Sequence, residues 1–229
     1  MPRRARLSMP DILWHIIQRG NNRSACFYTD EDYLYYLDTL KEQADKYKCL
    51  IHAYVLMTNH VHLLLTPEKK DSASLLMKHL GQRYVQYINR TYKRSGTLWE
   101  GRFRSCLTQD EKYVLACYRY IELNPVRASM VSHPRSYAWS SYIVNAEGVP
   151  SDLITPNVQY LQLGCTSALR REAYTGLFDA HMDSDVIDEI RSSTNGNYVL
   201  GNGRFREEIS AALKRRVVPG KAGRPVKQD

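Results

Sequence analysis

Two strand-length apolar runs separated by only two residues constrain this chain more than any other feature. Leu50 to Met57 and His60 to Thr66 flank Thr58-Asn59, and Pro67 ends the second run. So short a connection returns the chain as a hairpin, which makes the two runs antiparallel neighbours. Before the hairpin, Ile12 to Gln18 reads as a strand closed by the turn cluster Gly20-Asn21-Asn22. Thr29, with Asp32 three residues on, then looks like a capping box. It opens a helix to about Tyr47, with Tyr33, Leu34, Leu37, Leu40 and Ala44 at helical spacing. After the hairpin, Ser72 to Tyr92 reads as a long helix and Leu98 to Leu107 as a strand with a bend at Gly101. A last helix begins at Asp110 and runs to about Leu123, where Pro125 ends it by disfavouring helical backbone in its predecessor. The order β, α, β, β, α, β, α predicts an α+β fold. It is the split βαβ, ferredoxin-like arrangement, an antiparallel sheet with helices on one face plus one further helix.

The chain has 229 residues, enough for one sizeable domain and an appendage, and 43% of them are apolar, which suffices for an ordinary core. Gly148-Val149-Pro150-Ser151 reads as a linker, dividing a domain at 1–149 from a basic, mainly helical extension at 150–229 that is a candidate DNA-binding unit. In the extension, Arg170 to Phe178, Ser184 to Ser192 and Arg204 to Arg216 read as short helices, and the Pro/Gly-rich basic tail from Pro219 as disordered. The net charge of +8 calls for an anionic partner, nucleic acid or an acidic membrane surface. No apolar run approaches the length needed to span a membrane, and Val61 to Leu65 is only strand-sized. The basic start lacks a signal peptide's apolar stretch, so the expected location is cytoplasmic and, for a DNA-binding protein, nucleoid-associated. Five scattered cysteines without a C-x-x-C pair read as reduced thiols. Seventeen tyrosines mean that composition cannot single out a reactive one; position must.

Position favours two segments. In His60-Val61-His62, side chains two apart on a strand share a face, so both imidazoles converge. Two histidines leave coordination positions open for substrate and water, which suits a catalytic ion, although H-x-H fits two histidines on a half-exposed strand equally well. In Tyr120-Ile121-Glu122-Leu123-Asn124-Pro125, Tyr120 and Asn124 are one helical turn apart. A phenol there can serve as a nucleophile while the Asn124 amide oxygen completes a metal shell. On the helix alone, Tyr120 reads as another packing tyrosine and Asn124 as a cap. Glu122 points away from that face and is a poor base.

Taken together these segments carry a resemblance. Met57-Thr58-Asn59-His60-Val61-His62-Leu63-Leu64-Leu65 resembles the HUH signature of the IS200-like single-tyrosine transposases. Tyr120-Ile121 followed by Asn124-Pro125-Val126-Arg127, with Trp99-Glu100-Gly101-Arg102-Phe103 before it, resembles their REP-associated branch. The resemblance spans roughly Met9 to Tyr142. It implies a ferredoxin-like fold, a Mg²⁺ or Mn²⁺ ion held by His60, His62 and Asn124, and Tyr120 as the nucleophile. It also implies cleavage of single-stranded DNA near a REP-like hairpin through a 5′-phosphotyrosine with release of a 3′-hydroxyl. The chain departs from the minimal enzymes in its long extension, which leaves monomer and homodimer both open.

The basic residues expected to hold DNA are Arg3, Arg4 and Arg6 in the N-terminal arm, Arg19, Asn22 and Arg23 around the first turn, and Arg102 and Arg104 flanking Phe103. His15 and His52 lie on core strands, so one of them could approach the metal. Two rival readings remain: a non-catalytic hairpin-DNA-binding regulator on the same fold, and a metal-dependent phosphoesterase that uses activated water.

Overall fold

The computed structural model describes residues 6–220, apart from the side chains of 110–112, so Arg3, Arg4 and the tail from residue 221 lie outside the described residues. The elements run β1 (Leu13–Arg19), α1 (Asp30–Tyr47), β2 (Cys49–Met57), β3 (His60–Pro67), α2 (Ser72–Thr91), β4 (Arg104–Thr108), α3 (Asp110–Glu122) and α4 (Asn124–Arg127). They continue with α5 (Tyr142–Glu147), α6 (Val158–Leu161), α7 (Ser167–Gly176), α8 (Ser184–Gly196), β5 (Val199–Leu200) and α9 (Gly203–Leu213). The sheet order is β2-β3-β1-β4-β5. Its first four strands are antiparallel in the split βαβ order that the sequence predicts, while β5 joins β4 in parallel.

The capping box forms as expected: the side chains of Thr29 and Asp32 satisfy each other's backbone at the start of α1. The predicted strand from Leu98 is interrupted. Residues 98–100 bond to the end of β1, through Asn21 N–H to Leu98 O and Glu100 N–H to Arg19 O, and the chain then turns away at Gly101, whose φ is +105°. Regular pairing resumes only at Arg104, so Arg102 and Phe103 precede the strand. Gly20 closes β1 where no side chain fits, since a Cβ there would lie 2.2 Å from the Ser24 carbonyl oxygen and 2.6 Å from Cys26 Sγ.

Residues alternate across the sheet and supply two cores. Trp14, Ile16, Leu63, Leu65 and Leu107 meet Tyr36, Leu40, Leu76, Leu80 and Tyr84 of α1 and α2. On the opposite face Leu13, Ala53, Val55, Leu64 and Cys106 meet Val114, Cys117, Tyr118 and Ile121 of α3, with Tyr142, Tyr174 and Ile190 from later helices. The expectation of helices on one face therefore holds for α1 and α2, and the second face is covered as well. The cause is visible in the runs Ala53–Met57 and Val61–Leu65, which are buried without a break and must be covered on both sides.

The stretch after Val149 is mainly helical, as expected, yet it is packed into the same body. Ile154 bridges to Ile51 of β2, β5 extends the sheet, and Tyr174 of α7 bonds to Glu122 of α3. Gly148–Ser151 is a connector between packed elements: α7 lies against α5, the helix that ends just before the connector.

Candidate active site

The register of β1 on β3 assembles the site. Ile17 pairs with His62 and Arg19 with His60, so His15, Ile17 and Arg19 share a sheet face with both histidines. That is the face covered by α3, and its last turn delivers Tyr120. The Tyr120 ring lies edge-on to His62 at 5.6 Å and to His15 at 5.5 Å between centroids, and His60 is edge-on to His62 at 5.2 Å. The helix breaks at Leu123 because Pro125 has no N–H to continue its bonding, not because its predecessor leaves the helical region: Asn124 opens the single turn α4, with its side chain hydrogen-bonded to His60. The structure thus brings together His60, His62, Tyr120 and Asn124, the four residues that the sequence motifs group.

The imidazoles are neutral. Burial lowers the His60 pKa to about 4, assisted by the Arg19 charge and opposed by the bond to Asn124. Burial lowers His15 to about 3, with Arg127 adding to the effect, and drives His62 well below its ordinary value, with His15, His60, Arg127 and Arg19 contributing. Neutral imidazole is the metal-binding form. The Nδ1 of His60 lies 2.7 Å from Asn59 Oδ1, and the Nδ1 of His62 lies 2.8 Å from His15 Nε2. Metal-binding histidines commonly donate the second ring N–H to such a partner. Two neutral nitrogens and one amide oxygen form a donor set that fits a divalent cation with open positions.

His15 is therefore the third histidine of the site, while His52 bonds to Thr66 and to the Thr155 carbonyl oxygen and serves packing. Two further residues reach the site without a role assigned from the sequence. Arg127 places its guanidinium 4.3 Å above the Tyr120 ring and donates to the Tyr120 carbonyl oxygen. Its Nη1 is buried without a hydrogen-bond partner among the described residues. Its signal in the sequence is its place at the end of the Asn124-Pro125-Val126-Arg127 segment, about two turns after Tyr120. Thr194, from α8, reaches His15 Nδ1 at 2.9 Å across 179 residues, a separation that no local pattern could reveal.

Beside the histidines, Arg6, Arg19, Arg23, Arg102 and Arg104 line a cleft of about 710 Å³ together with Asn195 and Asn197. Arg6 stacks on Phe103 at 3.7 Å, and Arg104 bonds to Asn195 at 3.0 Å. Burial, then the Arg102 charge, lowers the Arg6 pKa to about 10. Asn22 is exposed on the adjoining turn, with φ +51°, and does not line the cleft. Glu122 faces the other way, buried among Ser141, Asn145 and Tyr174, as its helical position predicts.

A split βαβ sheet carrying a histidine pair and an opposed tyrosine helix defines a class of DNA-processing proteins. The family model for IS200-like transposases matches residues 8–124, just over half of the chain, and the chain belongs to that family. A curated REP-associated tyrosine transposase of Haemophilus influenzae is 27% identical to it over 124 residues, covering 49% of this chain and 70% of the relative. Among solved structures, a REP-associated tyrosine transposase bound to a REP hairpin superposes with a TM-score of 0.57 at 19% identity, covering 69% of this chain and 93% of the other. That likeness establishes the shared fold. Among the described residues, no helix is long and apolar enough to cross a membrane.

Proposed function

We propose that the protein is a single-strand DNA endonuclease and strand transferase of the REP-associated kind, acting next to REP-like hairpins with Tyr120 as its nucleophile. The observation that carries this reading is the packing of Tyr120 against His15 and His62, beneath a buried Arg127 nitrogen with no partner among the described residues. An unpaired buried donor is costly, and a phosphate oxygen is its natural acceptor. Tyr120 Oη attacks phosphorus in line and loses its proton to solvent; the bond from phosphorus to the 3′ oxygen breaks, and that oxygen takes a proton from solvent and leaves as a hydroxyl. The 5′ side stays on the enzyme as a phosphotyrosine, which conserves the ester for rejoining.

His60, His62 and Asn124 would hold Mg²⁺ or Mn²⁺, which supplies Lewis-acid polarisation of the scissile phosphate. Arg6, Arg19, Arg23, Arg102 and Arg104 bind the strand's phosphates along the cleft beside them. The tyrosine helix meets the histidines of its own chain, which favours action as a monomer. Incubation with 5′- and 3′-labelled hairpin oligonucleotides, followed by a denaturing gel, tests the reading. A protein-linked 5′-phosphate fragment that disappears in Tyr120→Phe is the expected result. Hairpin binding without any adduct would make the protein a DNA-binding regulator instead, and cleavage without an adduct would make it a water-using phosphoesterase.

A further inference from the structure

The hydrogen-bond chain behind His62 has a direction, fixed at its far end. Thr194 Oγ1 lies 2.8 Å from the Ile190 carbonyl oxygen, one turn back in α8, and 2.9 Å from His15 Nδ1. A carbonyl only accepts, so the single hydroxyl proton goes to Ile190 and Thr194 presents lone pairs to His15. Cys106 Sγ, 3.2 Å away, can donate to the same oxygen. His15 Nδ1 is therefore a donor. His15 is 1% exposed and its two ring nitrogens meet a hydroxyl and an imidazole rather than a carboxylate, so burial keeps the ring neutral with only one N–H. Its Nε2 must then accept, which obliges His62 Nδ1, 2.8 Å away, to donate.

We infer that Thr194, acting through His15, holds His62 in the tautomer protonated on Nδ1 with a bare lone pair on Nε2. Thr194 is thus a positioning residue, supplied from α8, well outside the segment that defines the family. Valine at 194 would fill the same space but accept nothing. His15 could then place its proton on Nε2, turn the chain around, and force the His62 proton onto the nitrogen that must stay bare. The consequence for metal rests on the proposed role of His62 as a ligand; the tautomer itself does not.

Long-range ¹H–¹⁵N spectra of the histidine-labelled full chain, without metal or DNA, test the tautomer directly, with signals assigned from the His15→Gln and His62→Gln variants. The expected result is a protonated Nδ1 and a bare Nε2 on His62 in the unmodified protein and in Thr194→Ser. Thr194→Val is expected to lose that pattern and to bind Mn²⁺ about 10- to 100-fold more weakly by titration, the usual effect of removing a ligand's hydrogen-bond partner. A His62 protonated on Nε2 in the unmodified protein overturns the inference, as does a folded Thr194→Val that keeps both tautomer and affinity. Should Thr194→Val fail to fold, the unmodified and serine spectra still decide. The expected tautomer in a protein that binds no Mn²⁺ upholds the relay and sinks the metal site of the proposed function.

Discussion

Arg127 lies with its guanidinium 4.3 Å above the ring of Tyr120 and anchors itself on that residue's own carbonyl oxygen. Because it is tied to the backbone that carries the proposed nucleophile, the cation keeps its place relative to the phenol. Burial lowers the Arg127 pKa only to about 10, so it stays charged at neutral pH and presents Nη1 without a partner among the described residues. Replacing Arg127 with alanine is expected to slow adduct formation about a hundredfold or more, the usual cost of losing one preorganised donor at a developing charge. Lysine should recover only part of the rate, since it lacks the fork that bonds the carbonyl and a phosphate oxygen together. Single-turnover cleavage at saturating hairpin DNA measures this. An Arg127→Ala protein that cuts at the normal rate would remove Arg127 from the site.

The proposed ligand set predicts graded effects. His60→Ala or His62→Ala is expected to abolish both cleavage and measurable Mn²⁺ binding, and chelation should do the same to the unmodified protein. Asn124→Ala removes one neutral oxygen donor, so it should raise the Mn²⁺ concentration needed for half-maximal cutting while preserving the maximum rate. Cleavage undiminished in chelator would refute a metal role for all three.

Glu122 gives the fold its own pH dependence. Its carboxyl accepts from Ser141 at 2.6 Å, Asn145 at 2.8 Å and Tyr174 at 2.7 Å, joining α3 to the elements after it. Burial raises its pKa to about 7, against those three bonds, which lower it. In the unfolded chain it titrates near 4.5. Between the two values the native state binds more protons than the unfolded state, so this group's contribution to stability is full below about pH 4.5 and declines as pH rises to about 7. Glu122→Gln, which is neutral and can still bond to all three partners if the Tyr174 hydroxyl turns to accept, should remove the decline. The expected gain over the unmodified protein is a few kcal/mol at pH 8, of the order of 1.4 kcal/mol per unit of pKa shift, and little at pH 4.5. Urea melts across this range check it. Parallel pH profiles for the two proteins would show that Glu122 is not held neutral.

The parts of this fold written in local pattern are legible in the amino-acid sequence itself. The hairpin at Thr58-Asn59, the capping box at Thr29 and the break at Pro125 each depend on residues within one turn of each other, and they suffice to order four strands and three helices. Burial of the second sheet face has a signal too, in the all-apolar run Ala53–Met57, but the expectation of helices on one face passes over it, and a hairpin alone does not say which later segment covers that face. The pattern marks α3, α7 and α8 as helices but not their docking on this face, and β5, with only two residues, carries no periodicity to mark it. The same separation hides Thr194 and keeps the sequence from choosing between His15 and His52. A histidine in an apolar strand is ordinarily a packing residue, and only the β1–β3 register shows that this one shares a face with His60 and His62.

The arginine cleft makes the final prediction quantitative. Arg19, Arg23, Arg102 and Arg104 line one side of the site, whereas Asn22 stands exposed on the turn between Arg19 and Arg23 and outside the cleft. If each of the four arginines neutralises one phosphate of a single strand, each alanine substitution should flatten the slope of log affinity against log salt by about 0.7. Such contacts carry no sequence information, so hairpin and scrambled competitors should weaken together. Asn22→Ala should behave in the opposite way, leaving the salt slope intact and narrowing the preference for the hairpin, because an exposed amide can read an unpaired base edge. Arg104 needs a control, since it also bonds to Asn195 and its loss could loosen the end of α8; a thermal melt separates the two effects. The measurement is a competition titration between hairpin and scrambled strands at several salt concentrations, with cleavage followed at saturating DNA. Unchanged slopes in all four variants would place the DNA path elsewhere, and the Tyr120 chemistry would then need a different route of entry for its strand.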